Sequence, residues 1–317
     1  MGCRPRMSRE LTLDPRVDLG RGLLLPNPVG VASGTFGYGF EFEHLVDIQR
    51  LGAIYTKGTT PLPRAGNAPP RVAETAAGML NSIGLHNPGV EHVATAYAPR
   101  FAGWRVPVVV NVAAATVEEY VDCLCRLEVD GVAGIELNIS CPNIANGLDF
   151  GRDAAAAGRL VQACRAATSR CLIVKLSPNV TDIGAVARAV EAAGADAVSA
   201  VNTYIGMKVN LGSRRPVLPG RGTGGLSGPA IKPLALAAVA AVRGAVSIPV
   251  VGVGGIAEPA DALEFFVAGA DAVQVGTANF TEPGAAIRVL DGVVAYAEAH
   301  RLGRLTELRA VPAPQPA

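Results

Sequence analysis

The stretch Gly134-Ile-Glu-Leu-Asn-Ile-Ser-Cys-Pro-Asn143 sets a thiol, Cys141, between two carboxamides, Asn138 and Asn143. A thiolate can take a proton from a carbon acid, provided that it faces a substrate and not the packed interior. The half before the thiol, Ile135 to Ile139, alternates apolar and polar side chains and is rich in β-branched residues, which reads as a strand ending at Ser140. Pro142 then fixes φ just after the thiol. In parallel α/β folds the C-terminal ends of strands carry the chemistry. A lone cysteine beside a proline is ordinarily a packing residue, so the weight of Cys141 depends on what stands at the other strand ends.

Those ends follow from the rhythm of the chain. From residue 20 on, short apolar runs alternate with helix-like segments, and eight runs read as strands: Val29–Ala32, Ala53–Thr56, Val106–Val112, Gly134–Ile139, Leu172–Leu176, Ala197–Val201, Ile248–Val253 and Ala272–Val275. Eight strands close a parallel barrel, so the expected fold is an α/β (β/α)8 TIM barrel with extended loops over the C-terminal face. A short internal repeat, Ala193-Gly-Ala-Asp-Ala-Val198 and Ala268-Gly-Ala-Asp-Ala-Val273, twice puts a glycine at a helix end and Ala-Asp ahead of a strand. Two Pro-, Gly- and Asn-rich insertions, Pro61–Gly89 and Thr203–Gly228, follow strand ends and should lie over the barrel mouth. No linker divides the chain. Residues 1–20 read as an N-terminal extension, 21–303 as the barrel domain and 304–317 as a Pro-rich tail expected to be disordered.

At the expected strand ends stand Lys57-Gly58, Asn111, Asn138 with Cys141, Lys175, Asn202 with Thr203, Gly252-Val-Gly-Gly255 and Gly276-Thr277. A single lysine is usually a solvated surface group, and a pair of glycines usually a tight turn. Seven of eight ends with hydrogen-bonding groups or bare backbone is more than packing requires. The glycines after strands seven and eight leave backbone N–H groups unobstructed, which is how barrels seat a phosphate. A phosphate there, with amides and lysines around the mouth, suggests a phosphorylated planar cofactor. FMN fits, because its ring system needs hydrogen bonds from amides and a cation near the atom that becomes negative on reduction.

Composition narrows the alternatives. Of 317 residues half are hydrophobic and 17% are charged, with a net charge of +1; this bounds the chain to a globular protein and gives no electrostatic case for nucleic acid. No apolar run reaches the roughly 20 residues that span a bilayer. The first residues carry charge with no apolar stretch behind them, so no secretory leader is expected. Cys3, Cys123, Cys125, Cys141, Cys164 and Cys171 lack Cys-x-x-Cys spacing. That argues against a metal site or disulfide scaffold and for a reducing, cytoplasmic compartment.

Ala32-Ser-Gly-Thr-Phe-Gly37, Lys57-Gly58, Asn81-Ser-Ile-Gly-Leu85, Asn138-Ile-Ser-Cys-Pro-Asn143, Gly224-Gly-Leu-Ser-Gly-Pro-Ala-Ile231 and Gly254-Gly255 together resemble dihydroorotate dehydrogenase, over a span from about Leu23 to about Ala299. Cysteine at position 141, where the membrane-bound class carries serine, is similar to class 1. The Asn81 and Gly224 motifs look most like the class 1B catalytic subunit. The resemblance implies an oxidoreductase of pyrimidine biosynthesis that oxidises dihydroorotate to orotate. It implies FMN contacts from Ser33, Lys57, Gly58, Asn111, Asn138, Lys175, Val201, Gly228, Gly254, Gly255, Gly276 and Thr277. Lys57, Asn81, Ser82, Ile83, Gly84, Leu85, Asn138, Asn202 and Thr203 would hold the substrate ring and carboxylate, with Cys141 as general base. His86, where a glutamine is expected, and residues 145–148 depart from the family pattern. Class 1B further implies a homodimer, or a heterotetramer with a separate subunit that carries FAD and a [2Fe–2S] cluster and passes electrons to NAD. This chain itself has neither a dinucleotide fingerprint nor cluster cysteines.

The same residues admit other readings. An FMN enzyme acting on another dihydropyrimidine, such as that of uracil or thymine, would make less use of Lys57. A Schiff-base aldolase or decarboxylase would use Lys175 as nucleophile. A non-catalytic scaffold would leave Cys141 and both lysines idle.

Overall fold

Valine, isoleucine and leucine dominate eight short runs that form parallel strands, since β-branched side chains pack well on a pleated surface covered on both faces. The structure, a computed structural model, describes residues 13–140 and 150–309; Cys141, Asn143 and residues 145–148 lie outside the described residues. The strands are β1 (Val29–Val31), β2 (Ile54–Tyr55), β3 (Val108–Val112), β4 (Gly134–Asn138), β5 (Cys171–Lys175), β6 (Ala197–Ala200), β7 (Val250–Val253) and β8 (Ala272–Val275). Each pairs with its sequence neighbours, and β8 closes on β1 through Val273 opposite Val29 and Val275 opposite Val31. All eight runs marked in the sequence are barrel strands, and their ends differ from expectation by no more than two residues.

Helices α1 (Val117–Arg126), α2 (Ala154–Ala167), α3 (Ile183–Ala192), α4 (Lys232–Ala245), α5 (Pro259–Val267) and α6 (Ala285–Ala299) return the chain between strands. The starts of α1, α2 and α3 are fixed by side chains that accept otherwise orphaned N–H groups. Thr116 and Glu119 form a capping box on α1; Asp153 accepts from Ala156 N at 2.8 Å and Asp182 from Ala185 N at 3.0 Å. The internal repeat builds the same joint twice. Gly194 and Gly269 end α3 and α5 at φ 100° and 108°, a conformation that disfavours any side chain. The following Asp196 and Asp271 accept, at 2.8 Å each, the backbone N–H of Leu172 at β5 and of Val250 at β7. Arg165 of α2 and Arg243 of α4 pair with them, so each aspartate ties a strand start to the helix before it.

The outward faces of the strands and the inner faces of the helices make the main core, including Val31, Val110, Leu137, Leu160, Val239 and Phe265. A second cluster fills the lower barrel: Tyr55, Val109, Ile173 and Val251 meet Leu19, Leu23 and Leu25 of a hairpin whose strands are Val17–Asp18 and Leu24–Leu25. Each of these buried leucines contributes roughly 1.5–3 kcal/mol. Residues 13–20, expected to precede the domain, therefore include part of its floor. At the other end the chain stays ordered past residue 303: Leu305 is buried in a turn, Leu305–Leu308, and Arg309 pairs with Asp271.

The two insertions are not independent loops. They combine into a four-stranded antiparallel sheet ordered Tyr204–Gly206, Gly224–Ser227, Gly78–Asn81 and Val72–Thr75. Both arise from the C-terminal side of barrel strands, β2 and β6, and the sheet stands beside the mouth.

Candidate active site at the barrel mouth

The described residues named from sequence stand at strand ends and in the loops that follow them, and hydrogen bonds and close approaches link several of them. Lys57, just past β2, is half-buried and anchored through its N–H to Gly37 O at 2.8 Å. Burial holds its ammonium below the ordinary lysine range; the Arg71 guanidinium adds to this, while Glu41 opposes it. A side chain on Gly58 would stand 3.2 Å from both Asn111 Oδ1 and Leu85 Cδ2, so three expected site positions converge there. Leu85 adopts φ 57° and Gly84 φ 76°. The segment from Asn81 to Leu85 is held by a residue that sequence reasoning missed: buried Asn87 donates to Leu85 O at 2.6 Å and to Thr60 Oγ1 at 2.7 Å, and accepts from Thr60 N. Asn81 Nδ2 donates to Gly225 O at 3.3 Å, and Ser82 Oγ accepts from Asn67 at 3.0 Å. Ile83 is half-buried and His86 is exposed.

Across the mouth, Asn138 Oδ1 accepts from Asn202 Nδ2 at 3.2 Å and from Ser140 N at 3.3 Å, and Asn202 Oδ1 accepts from Thr203 N at 2.8 Å. Tyr120 and Asn179 brace this pair: the Tyr120 hydroxyl donates to Asn138 O at 2.8 Å and Asn179 Nδ2 to Thr203 O at 3.0 Å. Ser140 is described; Cys141, immediately after it, is not. Among the described cysteines, burial pushes Cys123 and Cys164 up to about 12 and raises Cys171 as well, so these thiols stay protonated near neutral pH.

The third part of the mouth is backbone. Gly254 and Gly255 have φ 132° and 81°; a Cβ on Gly254 would lie 2.8 Å from Ala235 Cβ, and one on Gly255 2.8 Å from Lys232 N. The first turn of α4 therefore packs directly on the loop after β7. Thr277 Oγ1 donates to Ser227 Oγ at 2.8 Å, and its methyl lies 3.5 Å from where a Cβ on Gly228 would be. Gly276 and Ser33 are half-buried, and Val201 is buried. Bare backbone at the ends of β7 and β8, next to a helix start, suits a phosphate.

Below the mouth, the barrel interior is polar, a feature not foreseen. Glu136 of β4 has no exposed surface. Its Oε2 accepts from Asn111 Nδ2 at 2.7 Å, and its Oε1 from Ser199 Oγ at 2.7 Å and Gln274 Nε2 at 3.0 Å. Lys175 Nζ, 3.7 Å from Oε2, is also buried, not solvated. The available signal was the alternation that made β4 legible: Glu136 shares the face of Asn138, the face that points inward. Burial first, and then the charge of Glu136, drive the Tyr55 hydroxyl well above its ordinary range. Asn111 Oδ1 is buried with no hydrogen-bond partner.

Amides, a half-buried lysine and glycine backbone stand at the C-terminal ends of eight parallel strands, the end at which (β/α)8-barrel enzymes carry their active sites. A family model for dihydroorotate dehydrogenase matches residues 20–296, and the chain belongs to this oxidoreductase family. It is 52% identical over 289 residues to the dihydroorotate dehydrogenase B (NAD(+)) catalytic subunit of Pelobacter propionicus, covering 90% of this chain and 95% of the relative. The proteins of the same description from Porphyromonas gingivalis and Desulforamulus reducens are each 49% identical; the first match covers 92% of this chain and 95% of the relative, the second 94% and 98%. Among the described residues, no helix is long and apolar enough to cross a membrane, and no cluster of three or more potential metal ligands occurs.

Proposed function

We propose that the chain is a class 1B catalytic subunit that oxidises dihydroorotate to orotate with bound FMN, for pyrimidine biosynthesis in the cytoplasm. The observation that carries this reading is the side-chain-free backbone at Gly254, Gly255 and Gly276, at the ends of β7 and β8. Gly228, Gly254, Gly255, Gly276 and Thr277 would take the phosphate, and Ser33, Lys57, Gly58, Asn111, Asn138, Lys175 and Val201 the rest of the cofactor.

When bound, FMN supplies the two-electron acceptor for the hydride at C6 of the substrate. Lys57 would hold the substrate carboxylate, while Asn81 to Leu85, Asn138, Asn202 and Thr203 fix the ring's orientation. The C5 proton, acidified by the neighbouring carbonyl, would go to the thiolate of Cys141. Lys175 would place a cation under the cofactor. Electrons would leave through a separate subunit with FAD and a [2Fe–2S] cluster, in a heterotetramer built on a dimer of these chains. The family match leaves the aldolase reading without support, and Lys175 faces a carboxylate instead of standing free as a nucleophile.

Heat-released chromophore from the purified chain should be FMN, one per chain, and turnover with an artificial acceptor should require the carboxylate-bearing substrate. Release of FAD or no flavin, or equal turnover of dihydrouracil, would refute the proposal.

A further inference from the structure

The family reading leaves the buried carboxylate of Glu136 without a task. Side chains from four other strands converge on it: Asn111 of β3, Lys175 of β5, Ser199 of β6 and Gln274 of β8. Packing alone would be served by valine or isoleucine, the residues that Val109, Ile173 and Val251 supply lower in the barrel. A carboxylate can only accept hydrogen bonds, so it forces the Asn111 amide to turn its NH2 inward and its Oδ1 away. That Oδ1 is the buried orphan facing the Gly58 position. The same carboxylate is the counter-charge within reach of Lys175, which is 5% exposed.

We propose that Glu136 is a positioning residue for the site: it holds Lys175 in place and offsets part of the lysine's charge, so that it fixes how strongly the site prefers reduced over oxidised flavin. This rests on the FMN reading. A reduced flavin carries more negative charge than the oxidised form, and a lysine stripped of its partner favours it more.

The test titrates cofactor-free protein with oxidised FMN and, under reducing anaerobic conditions, with reduced FMN, at about pH 6. Glu136→Gln retains shape and removes charge; the affinity ratio should move about tenfold or more toward reduced FMN, equivalent to a rise of about 30 mV in a two-electron potential. Glu136→Asp, which keeps the charge, should remain within about threefold of the wild type. A folded Glu136→Gln protein whose ratio stays within about twofold of wild type, or moves toward oxidised FMN, overturns the role and leaves Glu136 a packing residue. If that variant does not fold, Glu136→Gln/Lys175→Met is compared with Lys175→Met. The two should agree within about twofold, because no lysine remains to be offset, and a tenfold difference overturns the role. Uptake of neither form by the wild-type chain refutes the FMN reading and this role together; uptake with an unchanged ratio refutes the role alone.

Discussion

In the proposed reaction Cys141 and Lys57 make opposite demands on pH. A thiol must lose its proton to act as base, so activity should rise with pH through the ordinary thiol range near 8.5. Lys57 must keep its proton to hold a carboxylate. Burial lowers its pKa, so the charged form, present at low pH, is lost as pH rises, and earlier than for a solvated lysine. We expect kcat/KM for dihydroorotate to pass through an alkaline maximum, with the falling limb absent in Lys57→Ala. That variant should also bind orotate about ten- to hundredfold more weakly, the size of a lost charge-assisted hydrogen bond, with uracil little affected. Equal losses for both ligands would remove Lys57 from the carboxylate. Cys141→Ser should slow the reductive half-reaction by about 10²–10⁴-fold and recover in part at strongly basic pH, with FMN content unchanged; near-normal stopped-flow rates would make Cys141 a packing residue.

At the scale of elements, the barrel strands were legible because their signal is local: runs of β-branched residues, each followed by a polar end. The sheet beside the mouth was not. Gly224-Gly-Leu-Ser227 has no strand propensity, and its partner, Gly78–Asn81, lies far away in sequence. What makes it a strand is close approach; a Cβ on Gly225 would fall 2.2 Å from Thr203 Oγ1. Glu136 was hidden for a related reason, since a carboxylate in a strand becomes a core hub only when four other strands close around it. The loop after β7 was legible as a glycine pair, and its geometry gives a prediction. Gly255→Ala would put a methyl against the Lys232 backbone at φ 81°, at a cost of roughly 1–3 kcal/mol. Both thermal stability and FMN retention should fall, whereas Gly220→Ala, with φ 77° but open space around it, should lose stability and retain FMN. Equal retention in both variants would separate the Gly255 loop from the phosphate.

For the whole molecule, floor and mouth do different work. Leu19 is fully buried against the lower barrel, and Leu19→Ala should cost about 2–5 kcal/mol. The flavin absorption spectrum and orotate affinity should be unchanged below the lowered melting temperature; a shifted spectrum in folded protein would mean that the floor shapes the site. Leu19 under the barrel and Leu305 against its side are long-range contacts, which the local pattern of the sequence does not register. The central claim, that the strand ends hold FMN where dihydroorotate can reduce it, is tested most directly by anaerobic titration of the purified chain with dihydroorotate. One equivalent should bleach the visible flavin absorbance and yield one equivalent of orotate. A colourless chain that takes up no FMN, or a flavin that dihydroorotate leaves oxidised, would contradict the account.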